Sequence, residues 1–436
     1  MEWWVTLILL WALLVGFFFT GIPVAFAFII MNIIGLYVWA GGASSFTLIA
    51  PSMFNTLSNF ILVPIPLFIL MGEILACSGV AWIIVESLDK WIGRIPGRLS
   101  LLAIGAGTIF ASVSGVPMGT TAMLASVFFP EMRRRGYSKQ MSVGPILGGG
   151  GLALIIPPTV IGVLLAAIAE VSVGNLLIAI IIPGFLLSAL YTIYVLFRAI
   201  FQPHTAPPYV STGISLWERV IALRHILPIT AIIFLVTGVI FVGVATPSEA
   251  SALGAAGCFV LAAGYGRLNM KVIKRALTNT SQISVMVLII IAGSVTFSQV
   301  LAYTGSTKAL VSFVVGLNMS PIVIIIFMHI IVLLLGCFMD LISVIMISIP
   351  ILMPVVQALG FDPIWFCTTI LVNLGIGMLT PPVGLLLFTI KGVLPDDISV
   401  SDIVRSSIPY FLMGMLTIAF IIIFPGMALW LPNVMK

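Results

Sequence analysis

Apolar runs of bilayer-crossing length follow one another along almost the whole chain, with only short polar punctuation between them. Candidate spans are 4–20, 22–39, 60–78, 176–197, 226–244, 250–265, 283–302 and 408–430. A crossing helix needs about 20 predominantly apolar residues, and these stretches supply them. Composition closes off a water-soluble fold. Of the 436 residues 61% are hydrophobic and only 7% charged, against about 25% charged in an average soluble domain. The 18 basic and 13 acidic side chains cannot give a chain of this size a polar exterior. A soluble enzyme, a nucleic-acid binder and a disordered scaffold are therefore excluded, and an all-α polytopic membrane protein is expected. The first apolar run has no basic leader and no small-residue cleavage site, so it reads as a retained span and not a signal peptide. Cys77, Cys258, Cys337 and Cys367 lie in apolar surroundings without metal-type spacing, and His204, His225 and His329 are scattered.

Three further stretches, 100–132, 141–170 and 321–394, do not read as simple spans. Basic residues gather at Lys90, Arg94 and Arg98; at Arg133, Arg134, Arg135 and Lys139; at Arg198, Arg219 and Arg224; and at Arg267, Lys271, Lys274 and Arg275. Membrane proteins keep such clusters in the cytoplasm, so the net charge of +5 needs no anionic partner. The first two clusters are separated by one apolar stretch, 100–132, and a single crossing would put them on opposite faces. A stretch that enters and leaves on the same side keeps both inside. Its middle has the composition of a break: Ser112, Ser114, Gly115, Pro117, Gly119, Thr120 and Thr121 lie between two apolar halves. The reading is a re-entrant helical hairpin; the rival, one kinked transmembrane helix, violates the charge rule. From Lys139 the remaining spans alternate, the N-terminus falls outside, and only Lys308 and Lys436 are left clearly outside with it.

The chain also repeats itself. Leu75-Ala76-Cys77-Ser78-Gly79 returns as Leu301-Ala302-Tyr303-Thr304-Gly305. Pro130 and Gly136-Tyr137 return as Pro354 and Gly360-Phe361, and Gly151 with Pro157-Pro158 returns as Gly375 with Pro381-Pro382. These two sets share one offset in numbering, slightly shorter than that of the first pair, and Pro183 and Pro409 restore the longer one. The first copy starts from the cytoplasmic face and the second from the outer face, so the repeats are inverted. Inverted repeats with broken helices near the midplane typify secondary transporters. The expected organisation is N-terminal scaffold helices over 1–60 and a first repeat over 61–200, with hairpin 1 at about 100–132 and a broken helix at about 141–170. A cytoplasmic loop and connecting helices follow over 201–280. The second repeat occupies 281–436, with an interfacial arm at 306–317, hairpin 2 at about 322–356, a broken helix at about 364–394 and a last helix at 408–430. The arm's counterpart, 79–91, is expected along the inner interface, and Trp3, Trp4, Trp82, Trp91 and Trp430 read as interfacial anchors.

The strongest chemical signals are the two glycine-rich runs into a proline doublet: Gly148 to Thr159, and Asn373 to Gly384. Two prolines remove two N–H donors, which strands carbonyls of the preceding turn. In hydrocarbon each unsatisfied group costs several kcal/mol, so such a break survives only where protein, water or an ion meets it. Free carbonyls are hard oxygen ligands for a small cation, and the half-helix N-terminus beyond the prolines, with roughly +0.5 charge, suits a carboxylate. One proposal serves both copies. In the first, Ser112, Ser114, Gly115 and Gly151 hold a small cation with the carbonyls at Ile156 and Pro157; in the second, Gly336, Asp340, Gly375, Gly377 and Thr380 do so. The organic anion lies between the hairpin tips near Thr120, Thr121, Thr159 and Ser343. Of the acidic residues in apolar segments, Asp340 is the best candidate. Glu170 and Glu249 fall at outer ends and suit the interface, and Glu73 is undecided.

The stretch from Phe110 to Thr159 carries a Ser-Gly tip, Gly119-Thr120-Thr121-Ala122, Phe129-Pro130-Glu131-Met132, Gly136-Tyr137 and the glycine run into Pro-Pro-Thr. It resembles the large, DctM-like membrane subunit of TRAP transporters, the tripartite ATP-independent periplasmic carriers. The resemblance extends over nearly the whole chain. It implies Na+-coupled import of an organic acid by an elevator motion across the bacterial inner membrane, with Na+ as coupling ion and no other cofactor. It implies two partners, a separate small four-helix membrane subunit and a periplasmic substrate-binding protein. The moving unit would be the two hairpins and two broken helices, sliding against the remaining spans. No G-x-x-x-x-G-K-[ST] motif is present, which fits an ion-driven carrier independent of ATP. The substrate stays open among C4-dicarboxylates, sialic acid and other sugar acids. Rival readings are a stand-alone organic-anion carrier of the same superfamily, a channel, and an intramembrane serine protease using Ser114 and His329.

Overall fold

A computed structural model describes residues 2–80, 83, 87–88, 95–207, 216–317 and 319–434, without the side chains of 19, 112–114 and 216–220. Among the described residues every regular element is helical. The α-helices are α1 (Trp3–Phe19), α2 (Val24–Trp39), α3 (Ile49–Leu57), α4 (Pro64–Ser78), α5 (Arg98–Ser114), α6 (Pro117–Arg134), α7 (Lys139–Gly151), α8 (Val160–Ile168), α9 (Val173–Ala179) and α10 (Ile181–Phe201). They continue as α11 (Leu216–Phe241), α12 (Pro247–Gly264), α13 (Met270–Tyr303), α14 (Ser306–Val315), α15 (Pro321–Phe338), α16 (Leu341–Ala358), α17 (Pro363–Gly377), α18 (Leu385–Lys391), α19 (Val400–Ile423) and α20 (Gly426–Val434). Seven helical stretches among the described residues are long and apolar enough to cross a membrane. The expected inner arm with Trp82 and Trp91, and the basic residues Lys90, Arg94 and Lys436, lie largely outside the described residues.

Local chemistry sets most boundaries. Pro117, Pro321 and Pro363 open their helices, where a missing N–H has no intrahelical partner to lose. Ser138, Asn269, Asp362 and Ser399 cap the helices after them by accepting a backbone N–H. Several spans differ from expectation: α11 starts at Leu216 and not at 226, and the span expected at 176–197 is divided at Ile180 into α9 and α10. α13 starts at Met270, well before Ile283, because nothing between the two breaks a helix and Asn269 accepts from Val272 N at 2.9 Å. Lys271, Lys274 and Arg275 therefore ride on its first turns and not on a loop. The last span divides at Phe424, where Pro425 cannot donate to the preceding turn, and α20 follows as a separate short helix.

The helices pack in two groups. In the first, α4 lies along α12 and α13, α11 along α12, and α2 and α3 along α13. Polar bonds cross its interfaces: Asn32 Nδ2 donates to the Gly293 carbonyl at 2.8 Å, and Ser52 meets Thr296 at 3.1 Å. The second group gathers α5 and α6 on α7, α15 and α16 on α17, and α19 along both α7 and α17, with α10 against α5 and α19. The ring of Tyr410 in α19 fills the space left by Gly148; a Cβ there would lie 2.3 Å from it. α10 and α19 thus pack with the helices around the proline doublets, and α1 packs on α14, where Trp3 contacts the Phe313 ring at 5.5 Å.

Within the second group α5 and α6 fold back on one another around Gly115 and Val116. The start of α5 bonds the link that follows α6 and the start of α7: Leu99 N donates to the Tyr137 hydroxyl at 3.4 Å, and Ser100 Oγ to the Met141 carbonyl at 2.6 Å. α15 and α16 pair in the same way around Met339 and Asp340. The repeat read from the sequence recurs in these elements. α6 and α16 begin and end in the register that relates Pro157-Pro158 to Pro381-Pro382, and α7 and α17 begin in that register too.

Candidate functional site

In the first copy α7 ends in its glycine run, a 3₁₀ turn covers Leu152–Leu154, and the chain is non-helical until α8 starts at Val160. Thr159 caps α8, its Oγ1 accepting from Gly162 N at 3.4 Å. Among the described residues no N–H or hydroxyl is directed at the carbonyls of Ile155, Ile156, Pro157 or Pro158. In the second copy α17 ends at Gly377 and α18 begins at Leu385. Here Leu386 N reaches back to the Met378 carbonyl at 3.2 Å and Ser407 Oγ to the Leu379 carbonyl at 3.1 Å. The carbonyls of Thr380, Pro381 and Pro382 have no donor among the described residues.

The two interrupted helices cross at their glycines. A Cβ on Gly375 would stand 3.5 Å from Leu154 Cδ1 and 3.9 Å from the Gly151 carbonyl oxygen. Each helix turn lies on its own copy's break. Gly115, at φ +57°, sits over the start of α8, and a Cβ there would be 2.9 Å from Val160 Cγ2. Gly336 meets Gly377, whose Cβ would be 3.1 Å from the Gly336 Cα. The Cys337 carbonyl accepts from both Val383 N and Gly384 N at 3.2 Å. Glycine suits these contacts: Gly115 holds a left-handed conformation and a Cβ there would press on Val160, while at Gly336 and Gly377 a Cβ would push the facing backbone back by a few tenths of an ångström.

The structure places the candidate side chains unevenly. Thr121 is fully buried, and its Oγ1 has no hydrogen-bond partner among the described residues. It lies against α7, so closely that a Cβ on Gly150 would stand 1.8 Å from it. Thr120 bonds its own helix, donating to the Val116 carbonyl at 3.1 Å. It lines a cavity of about 220 Å³ with Glu73, Gly119 and Met123, between α4 and the first turn. Thr380 donates to the Ile376 carbonyl at 2.8 Å. Asp340 caps α16, accepting from Ser343 N at 3.2 Å and from the Ser343 hydroxyl. Asp340 and Ser343 open onto a cavity of about 290 Å³ whose far wall is Gly21, Ile22 and Pro23 between α1 and α2. The side chains of Ser112 and Ser114 lie outside the described residues.

The remaining acidic residues divide. Glu249 belongs to a capping box with Thr246 at the start of α12. Glu73 accepts from Asn279 Nδ2 at 2.8 Å, which ties α4 to α13 beside the first cavity. The sequence gives Asn279 no distinct signal: it sits in the polar run Thr278-Asn279-Thr280-Ser281-Gln282. Among the described residues no three His, Cys, Asp or Glu side chains gather.

Comparison with known proteins decides what this geometry belongs to. A family model described as tripartite ATP-independent periplasmic transporter, DctM component, matches residues 11–427. The chain belongs to this family. It is 31% identical over 386 residues to the C4-dicarboxylate TRAP transporter large permease protein DctM of Pseudomonas aeruginosa, covering 88% of this chain and 89% of that one. It is 27% identical over 426 residues to the ectoine TRAP transporter large permease protein TeaC of Halomonas elongata, covering 96% and 97%. Among solved structures it is similar to the YdaH transporter of Alcanivorax borkumensis, with a TM-score of 0.60 and 13% identity over 88% of this chain and 90% of that one. That likeness speaks for the fold alone. A TRAP large permease is a membrane transporter component and not an enzyme, so the serine-protease reading of Ser114 and His329 is set aside.

Proposed function

We propose that this TRAP large permease carries an organic acid inward with Na+, by an elevator motion, across the bacterial inner membrane. The observation that carries the reading is the pair of helix interruptions whose carbonyls, at 155–158 and 380–382, lack a donor among the described residues of a protein built to sit in hydrocarbon. Stranded carbonyls at that depth need a partner worth several kcal/mol, and a small cation is one. The first cage then draws on carbonyls at Ile156 and Pro157 with Thr121, whose hydroxyl has no partner among the described residues. The second draws on Thr380 to Pro382 near Gly377. Thr159 and the start of α8 suit the carboxylate of the substrate.

The moving unit in this reading is the second packing group, with α10 and α19 included. Its two turned helix pairs would be re-entrant, one from each side of the membrane, with the N-terminus periplasmic. Inward Na+ movement supplies about 2.3 kcal/mol per charge for each 100 mV of potential. The partners are a small four-helix membrane subunit and a periplasmic binding protein. The substrate is a C4-dicarboxylate, sialic acid or another sugar acid.

The test is uptake by proteoliposomes holding the permease and its small subunit, offered this panel of acids with and without the binding protein. Saturable uptake that needs Na+ and the binding protein is expected. Uptake by the permease alone would establish a stand-alone carrier, non-saturating flux a channel, and indifference to Na+ would refute the coupling.

A further inference from the structure

A buried polar pair joins the two parts of the second copy, and the cycle above makes no use of it. His329 lies in the middle of α15, 7% exposed, and Asn373 lies in α17, 1% exposed. The Asn373 amide nitrogen donates to the His329 backbone carbonyl at 2.8 Å and meets the ring Nδ1 of the same residue at 3.1 Å. A carbonyl only accepts, so the nitrogen end of the amide faces α15. Nδ1 is then an acceptor too, and the ring proton sits on Nε2. Nε2 is buried and has no partner among the described residues. An unpartnered buried donor is destabilising in itself, so stability alone does not account for the pair.

The first copy solves the same contact differently. In the register that pairs Gly375 with Gly151, Asn373 corresponds to Gly149. There α5 and α7 meet backbone to backbone: a Cβ on Gly107 would be 2.6 Å from Gly149 Cα. In the second copy an amide instead grips both a carbonyl and a ring. Two turns beyond His329, about 10 Å along α15, Gly336 touches Gly377, and the next carbonyl, Cys337, accepts from Val383 and Gly384. Grip, glycine contact and carbonyl thus follow one line along α15, ending on the segment of the second break.

We propose that His329 and Asn373 are positioning residues for the second cation cage, holding α15 on α17 so that the Cys337 turn keeps the 380–384 segment in shape. The proposal rests on the cation reading above. The test measures the melting temperature of the purified permease with its small subunit while Na+ replaces choline, for the wild type and for Asn373→Leu, His329→Gln and the double variant His329→Leu/Asn373→Leu. The double variant removes both polar groups together, so it folds without stranding either, and its Na+-free melting temperature matches or exceeds that of the wild type. Its half-saturating Na+ concentration rises about fivefold to tenfold, as does that of Asn373→Leu, while His329→Gln, which keeps an acceptor for the amide, stays within about twofold. A double variant that folds and half-saturates at the wild-type Na+ concentration overturns the proposal and leaves the cation reading standing. A wild type with no Na+ response removes the cation reading and this inference with it.

Discussion

Thr121 offers the sharpest test of the first cage, because its buried hydroxyl has opposite consequences under two accounts. As a bare orphan it is a liability. A buried hydroxyl left unpaired costs about 1–3 kcal/mol, and the isosteric Thr121→Val returns that amount. As a Na+ ligand it has a partner whenever Na+ is bound, and the same substitution removes a ligand. The structure favours no alternative partner, since Oγ1 is fully enclosed and pressed against Gly150. Thr121→Val should therefore be about 1–3 kcal/mol more stable than the wild type without Na+, and less responsive to Na+. Na+ at about 100 times its dissociation constant stabilises the wild type by about 2.7 kcal/mol; a tenfold weaker site cuts this to about 1.4 kcal/mol. Thermal unfolding of the purified protein in matched Na+ and choline buffers reads both numbers. A Thr121→Val protein that gains stability in choline and keeps the full Na+ increment would show the hydroxyl to be an orphan and remove it from the cage.

Other expectations follow from the same geometry. Cysteines placed at the exposed Pro96 and Arg134 should both react with an impermeant reagent from the cytoplasmic face, because the start of α5 bonds Tyr137 in the link just after α6; labelling from opposite faces would undo the hairpin reading. Gly148→Ala should lower stability by about 1–3 kcal/mol, since its Cβ would stand 2.3 Å from the Tyr410 ring. Tyr410→Leu in that background should recover part of the loss in the same melting assay, and no recovery would point to another source of strain. Arg133→Ala should change stability by less than about 1 kcal/mol, because its 2.9 Å pair with Asp397 is half-exposed on both sides. A larger drop in melting temperature would mean that this pair does more than sit at the surface.

Much of the fold was legible because its determinants are local. A proline doublet strips donors from its own preceding turn whatever surrounds it, so both interruptions could be read from Gly148–Thr159 and Asn373–Gly384. The Ser, Gly and Pro residues between the two apolar halves of 100–132 also act locally, so a turn near Gly115 could be read from Ser112–Thr121. Where a boundary depended on a single residue, the reading slipped: Asn269 caps the start of α13 well ahead of the apolar run from Ile283, and the lone Pro425 did not stand out against the apolar run around it. The site was less legible than the fold. Asp340 stood out as an ionisable group in an apolar stretch, yet its carboxylate is held by Ser343 and faces the turn between α1 and α2. Thr121 looked equivalent to Thr120, but one lies sealed against Gly150 while the other donates to the Val116 carbonyl.

By itself the sequence determined which segments are helical, where two of them must break, and that the chain is built twice, because hydropathy, proline and glycine act within a turn or two of themselves. Only the tertiary structure decided that the two breaks meet at Gly151 and Gly375, that Thr121 faces α7, and that Asn373 grips His329 across 44 positions of chain. Those contacts depend on how helices distant in sequence rotate and slide against one another. That is settled by the packing of whole faces and not by any short motif.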